Sequence, residues 1–161
     1  MTGFEPRNPD YAAQVSGGFE RHSFMALLGV ELVRVEPGFC ELHLPWRKYL
    51  LQQHGYFHGG AIAGLLDSAA GFAAYSLMPA DANILTVEYK LNFVAPGTGS
   101  RMVARGEVLK PGRTLTVVRA DAFAIVEGEE KLCCASQQTL MMLADRHDQK
   151  DGEVRAPARA G

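Results

Sequence analysis

The stretch QQHGYFHGGAIAGLLDSAAG, residues 52–71, holds the side chains best suited to chemistry. It leads from a loop with His54 and His58, through Gly59-Gly60, into an apolar segment that carries one carboxylate, Asp67. A carboxylate set among Ala, Leu and Gly is expensive unless it is paired or shifts its pKa. Chains keep such a group where it has a partner or a task.

Glycines at a loop-to-helix junction let a ligand approach the first free backbone N–H groups, at the positive end of the helix dipole. Those donors suit a carbonyl oxygen that becomes negative during acyl transfer, where one donor is worth about 3 kcal/mol of barrier. The same Gly-Gly pair also serves as an ordinary turn. Asp67 follows Gly60 by seven residues. Seven steps of about 100° fall about 20° short of two turns, so Asp67 shares the face of Gly60 but sits about 10 Å further along. It cannot reach its own helix N-terminus. Two copies of the helix running antiparallel across a two-fold axis would instead bring one Asp67 to the other Gly59 N–H. The alternative is a helix carboxylate satisfied by a nearby Ser, Tyr or arginine.

Other chemistries lack their residues. His54 and His58 are four apart, but Gly55 and Tyr56 between them indicate loop, and no convincing third zinc ligand is present, so no metal is expected. There is no G-x-S-x-G elbow, and Ser68 lies inside the helical segment. P-loop, dinucleotide and EF-hand patterns are also missing.

The elements that must position these groups follow from periodicity. Between Lys48 and Asp81 the only formally charged side chain is Asp67, and apolar residues surround the segment from Gly60 to Met78, which predicts a buried helix. Before it, VELVRVEPGFCELHLPW reads as a β-hairpin turning at Glu36-Pro37-Gly38 and closed by Pro45. Residues from about Pro9 to Leu28 have helical spacing interrupted at Gly17 and Gly18. After Pro79 the period becomes two: Leu85, Val87, Tyr89, Leu91 and Phe93 point one way, and Thr86, Glu88, Lys90 and Asn92 the other. Further strands are expected near 101–109, 114–126 and 131–142, joined by short turns and hence antiparallel. The class is α+β, with the long helix covering the apolar face of the sheet.

Length predicts one core. The expected organisation is an N-terminal helical extension over 1–24, the α+β domain over 25–144, and a disordered tail over 145–161, which has one bulky apolar residue, Val154. A net charge of −2 gives no field for a phosphate backbone, so nucleic acid is not an expected partner. The segment 59–78 has a central charge and lacks basic flanks, which argues against a membrane span. The start, MTGFEPRNPD, has no secretory pattern, and a cytoplasmic location is expected. Cys133 and Cys134 are adjacent and cannot readily pair; with Cys40 they read as small apolar strand residues, or in second place as a reactive thiol.

Gln52, then His58-Gly59-Gly60, then Asp67 nine residues after the histidine, then TVEYKLNFVAPGTG, together resemble the hotdog-fold acyl-CoA thioesterases over roughly residues 25–142. The phenylacetic-acid-degradation (PaaI-like) subfamily looks closest. The resemblance implies a long helix wrapped by a curved antiparallel sheet, and sites formed between two subunits of a homodimer that pairs into a homotetramer. It implies that Asp67 attacks the thioester or activates water, that the Gly59 N–H polarises the carbonyl with Gly60 beside it, and that His58 orients the loop. Gln52 would contact the carbonyl or the lytic water, with Gln53 one step out of register. Thr86 falls where some relatives place a serine near the site. Lys110, Arg113 and Thr114 resemble the part that meets coenzyme A phosphates, a role that a flexible lysine and a forked guanidinium suit; a solvated turn is the alternative.

The expected function is hydrolysis of an acyl-CoA to a free acid and coenzyme A, without metal or organic cofactor. A nucleophilic and a general-base Asp67 both remain open. Tyr56, Phe57, Phe72 and Tyr75 are candidates to line an aromatic or medium-chain acyl pocket, aryl and arylacetyl groups being favoured by resemblance. The other readings are a hotdog hydratase or dehydratase, and a non-catalytic acyl-CoA sensor.

Overall fold

A computed structural model describes residues 3–143. The expectation of a disordered tail from Asp145 lies outside them. Two short helices, α1 (Tyr11–Glu20) and α2 (Ser23–Leu28), precede the hairpin β1 (Glu31–Glu36) and β2 (Phe39–Pro45). The long helix α3 (Gly59–Tyr75) follows, then β3 (Asn83–Phe93), β4 (Arg101–Lys110), β5 (Leu115–Val126) and β6 (Glu129–Leu143). The strands form one antiparallel sheet in the order β1-β2-β4-β5-β6-β3, with α3 across its inner face. This is the hotdog arrangement. Among the described residues no helix is long and apolar enough to cross a membrane.

The inner face is apolar and, at its centre, small. Cys40, Leu42 and Leu44 of β2 sit beside Met102, Ala104 and Gly106 of β4, and Ala120, Ala122 and Ala124 of β5 continue the layer, all buried. Small residues here let α3 approach closely. At Gly106 the approach is so tight that a Cβ would lie 2.4 Å from the Ala69 carbonyl oxygen of α3. Backbone cannot yield as a side-chain tip can. Gly106→Ala is therefore expected to cost about 3 kcal/mol and lower Tm by roughly 10 °C, read by thermal or urea unfolding.

The C-terminal end of α3 is tied to the hairpin by Ser76. Its fully buried hydroxyl donates to the Ala73 carbonyl (2.7 Å) and accepts the Gly38 N–H (2.8 Å). Gly38 has φ 76°, the left-handed turn conformation that a glycine adopts without strain. Val15 of α1 and Met25 of α2 are fully buried in the same core as α3.

Three local features differ from the periodicity. The helical break falls at Arg21-His22, whereas Gly17 and Gly18 lie inside α1. The alternation of β3 is broken by a bulge between Thr86 and Glu88. Thr86, Tyr89, Leu91 and Phe93 pair with Leu140, Gln138, Ser136 and Cys134, all buried on the inner face, while Leu85 pairs with Met141 on the other side. The extra residue, Val87, thus turns Thr86 toward α3. A second irregularity between Ala122 and Phe123 lets the neighbouring Cys133 and Cys134 both be buried.

Helix α3 is covered on most sides by its own chain. A stripe of Gly60, Ala63, Gly64, Asp67 and Gly71 stays partly or fully exposed, with the ring of Phe24 leaning over Gly64. The helix is apolar all round, yet a single chain buries only part of its circumference.

Candidate active site

The loop before α3 is pinned at several points. Leu51 and Phe57 form a β-bridge, the Gln52 N–H donates to the Tyr56 carbonyl (2.9 Å), and the His58 N–H donates to the Leu50 carbonyl (2.8 Å). The Gln52 side-chain oxygen accepts the His54 N–H. His58 then caps the helix: its Nδ1 accepts the Gly60 N–H (2.9 Å), and its carbonyl accepts from Ala61 (2.9 Å) and Ile62 (3.2 Å). In this first turn that leaves the Gly59 N–H without an acceptor among the described residues. Gly60 spends its own N–H on the cap, so the unspent donor of the pair is that of Gly59.

Gly59 and Gln52 line one cleft of about 530 Å³, closed by Tyr56, Phe57, Ile62 and the segment from Phe93 to Gly97. The Phe93 ring lies against the helix start, 3.3 Å from where a Gly59 Cβ would stand. Among the described residues no carboxylate lines this cleft.

Asp67 lies in another. Its cavity, about 480 Å³, is bounded by α1–α2, by α3 and by the start of β3. Thr86 Oγ1 donates to Asp67 Oδ1 at 2.7 Å, the contact the β3 bulge makes possible. Among the described residues no cation pairs with Asp67. It lies eight positions after Gly59 in α3, about 12 Å along the axis. One chain therefore presents the carboxylate and the Gly59 N–H in separate clefts.

The remaining residues fall elsewhere. Lys110 ends β4 opposite Val117, and the Thr114 carbonyl accepts the Met142 N–H (2.8 Å). Arg113 lines a cleft at the C-terminal end of α3 with Ala74, Leu77 and Met78. Lys110, Arg113 and Thr114 are exposed, and Arg7 reaches the same turn by donating to the Gly112 carbonyl (3.1 Å). Of the aromatic candidates, Tyr56 and Phe57 belong to the Gly59 cleft, Phe72 and Tyr75 to the Asp67 cavity. Arg21 and His22 also line that cavity, and nothing in the sequence periodicity points to them.

Burial raises the pKa of all three thiols, Cys133 to about 11, which removes the thiolate needed for nucleophilic cysteine chemistry. No three His, Cys, Asp or Glu side chains converge as a metal site among the described residues. Arg105 bonds Glu41 (2.7 Å) and Glu130 (2.6 Å), and Glu41 bonds His43 (2.8 Å), a network that lines neither cleft.

Residues 54–131 match the family profile described as "Thioesterase superfamily". The crystal structure of a thioesterase family protein from Silicibacter pomeroyi is 47% identical, with a TM-score of 0.82, and the alignment covers 83% of this chain and 98% of that one. The chain belongs to the thioesterase superfamily. Another relative of this thioesterase-superfamily chain is the 1,4-dihydroxy-2-naphthoyl-CoA hydrolase of Listeria monocytogenes, 28% identical over 74% of this chain and 94% of that protein. The E. coli PaaI protein from the phenylacetic acid degradation operon has a TM-score of 0.76 at 17% identity, covering 84% and 94% of the two chains, and shares the fold.

Proposed function

We propose that this thioester hydrolase cleaves acyl-CoA to a free acid and coenzyme A at a site shared by two subunits, Asp67 from one and the Gly59 N–H from the other. The observation that carries the reading is the split itself: a carboxylate in one cleft and an unspent backbone N–H in another, about 12 Å apart on one helix. An antiparallel pair of α3 helices would superpose the two halves twice, once at each end of the two-fold axis. The exposed stripe of small residues on α3 suits close helix approach. The unpaired edge of β3, where Leu85, Val87, Tyr89 and Phe93 are each half-exposed, offers the same two-fold a strand to pair. Further pairing of such homodimers gives a homotetramer.

In this geometry the thioester carbonyl oxygen lies on the Gly59 N–H, which is aligned with the α3 dipole and kept in place by the His58 cap. Thr86 holds one oxygen of Asp67 and leaves the other to attack the carbonyl carbon or to take a proton from an attacking water. The new C–O bond forms, the C–S bond breaks, and the coenzyme A thiolate leaves and takes up a proton. With water as the attacking group this gives the acid directly; with Asp67 as the attacking group a second step follows in which water cleaves the acyl–Asp67 anhydride, releasing the acid and restoring the carboxylate. The Gln52 amide, in the same cleft as Gly59, is placed to hold the carbonyl or the water. Lys110, Arg113 and Thr114 form the candidate contact for the coenzyme A phosphates. The acyl group is aryl, arylacetyl or medium-chain, in keeping with a PaaI-like assignment.

The test is thiol release from a panel of aryl-, arylacetyl- and medium-chain acyl-CoAs. Turnover of at least one class is expected. Water addition to an enoyl-CoA without thiol release would make the protein a hydratase, and acyl-CoA binding with no reaction would make it a sensor. Solvent ¹⁸O entering Asp67 in a single turnover would assign the nucleophilic route.

A further inference from the structure

Among the described residues three serines are buried, and two of them spend their hydroxyls inside the fold. Ser76 bonds Ala73 and Gly38, and Ser136 donates to the Ala120 carbonyl (2.7 Å). The third, Ser68, lies in the interior of α3 and is only 8% exposed, yet its hydroxyl has no hydrogen-bond partner among the described residues. A helical serine commonly bonds the carbonyl one turn back, and Ser68 leaves that bond unmade. A buried hydroxyl without a partner costs folding free energy. Such a group calls for a donor or acceptor that its own chain does not supply.

Ser68 lines the cavity that holds Asp67, one position after the carboxylate. Gly71 follows Ser68 by three positions, so the two lie on neighbouring turns of one face. A Cβ at Gly71 would meet nothing within 4 Å. Glycine is a poor helix former, and here it keeps space open beside the serine against helix propensity. The other hydroxyl next to the carboxylate, Thr86 Oγ1, is already given to Asp67 Oδ1. Much of the remaining lining is apolar, with Phe72, Ile84 and Leu140.

We infer that Ser68 is a specificity-determining residue whose hydroxyl bonds an oxygen on the third carbon of the acyl group, so that 3-oxygenated acyl-CoAs are preferred substrates. This rests on the proposed thioesterase reading, because it takes the thioester carbonyl to lie at Asp67. Adjacent Cα atoms are about 3.8 Å apart, a step comparable with the span from the carbonyl carbon to an oxygen on the third carbon. A serine hydroxyl both donates and accepts, so it serves a 3-hydroxyl or a 3-oxo group. The hydrocarbon beyond packs on Phe72, Ile84 and Leu140.

The experiment compares four probes of one chain length: octanoyl-CoA, the two enantiomers of 3-hydroxyoctanoyl-CoA, and 8-hydroxyoctanoyl-CoA, whose oxygen lies far from Ser68. Specificity constants are measured for the wild type and Ser68→Ala, which removes only the hydroxyl and suits a helix better than serine does. The readout is the ratio between probes, which a general loss of folding or of chemistry leaves in place. The wild type is expected to favour one 3-hydroxy enantiomer over octanoyl by about tenfold and to treat the 8-hydroxy probe like octanoyl. Ser68→Ala is expected to bring the 3-hydroxy ratio to about one. A wild type without the preference, an 8-hydroxy probe that shares it, or a variant that slows every probe alike and keeps the ratio would overturn the inference. The thiol-release panel decides the hydrolase reading by itself. If none of these four probes is turned over, the affinities of their non-hydrolysable thioether analogues for the two proteins decide the inference separately, with the same ratios expected.

Discussion

Asp67→Asn is expected to lower kcat by about 10³-fold while fold and assembly persist. The substitution is nearly isosteric, and an asparagine Oδ1 still accepts the Thr86 hydroxyl now bonded to Asp67 Oδ1 at 2.7 Å. It removes the one property the reaction needs, a basic, nucleophilic oxygen beside the carbonyl. No cation among the described residues pairs with Asp67, so the change strands no partner charge. The unfolding midpoint should therefore stay near that of the wild type. Thiol-release kinetics check the rate, and size-exclusion chromatography with thermal unfolding checks the structure. A mutant as active as the wild type would show that the carboxylate is only a helix residue satisfied by Thr86.

Gly59→Pro is the second large effect, expected to reduce kcat by about 10²-fold to 10³-fold. Gly59 is the first residue of α3, where proline is tolerated because that N–H has no helical partner. His58 already has φ −64° and ψ 134°, the extended conformation that a residue before proline requires. The helix should thus form as before, without its ligand-facing donor. The added ring meets Phe93, whose Cζ lies 3.3 Å from the Cβ position, and Gly59→Ala controls for that contact because it adds the same carbon and keeps the N–H. A proline variant at least tenfold slower than the alanine variant is the expected result. Equal rates for the two would remove Gly59 from the chemistry.

Much of the framework was legible because burial imposes a period on the chain. The run from Gly60 to Met78 is apolar around its circumference and reads as a buried helix, which the structure forms over Gly59–Tyr75; the hairpin announces itself at Glu36-Pro37-Gly38, and the three later strands by their turns. What was hidden depends on contacts between distant segments. Period two places Thr86 opposite Tyr89 and Phe93, and only the bulge at Val87, set by pairing with β6, turns it to Asp67. Gly59 and Gly60 look equivalent in the sequence, yet the His58 ring takes the Gly60 N–H and leaves Gly59 as the donor. Gly17-Gly18 reads as a break because glycine is a poor helix former; packing of α1 on the Phe72 and Tyr75 rings overrides that local preference. Arg21 and His22 carry no periodic signal at all, since their place in the cavity is set by how α1 and α2 dock on α3.

The shared site is tested most directly by mixing subunits. Asp67→Asn and Gly59→Pro chains are unfolded together, refolded, and assayed for thiol release beside each parent alone. If Asp67 of one subunit works with Gly59 of the other, a mixed dimer holds one doubly damaged site and one intact site. Random assortment makes about half the dimers mixed, so activity should return to about a quarter of the wild-type value. If both groups act within one subunit, every site in the mixture keeps one defect. Activity no higher than the sum of the two parents would contradict the account.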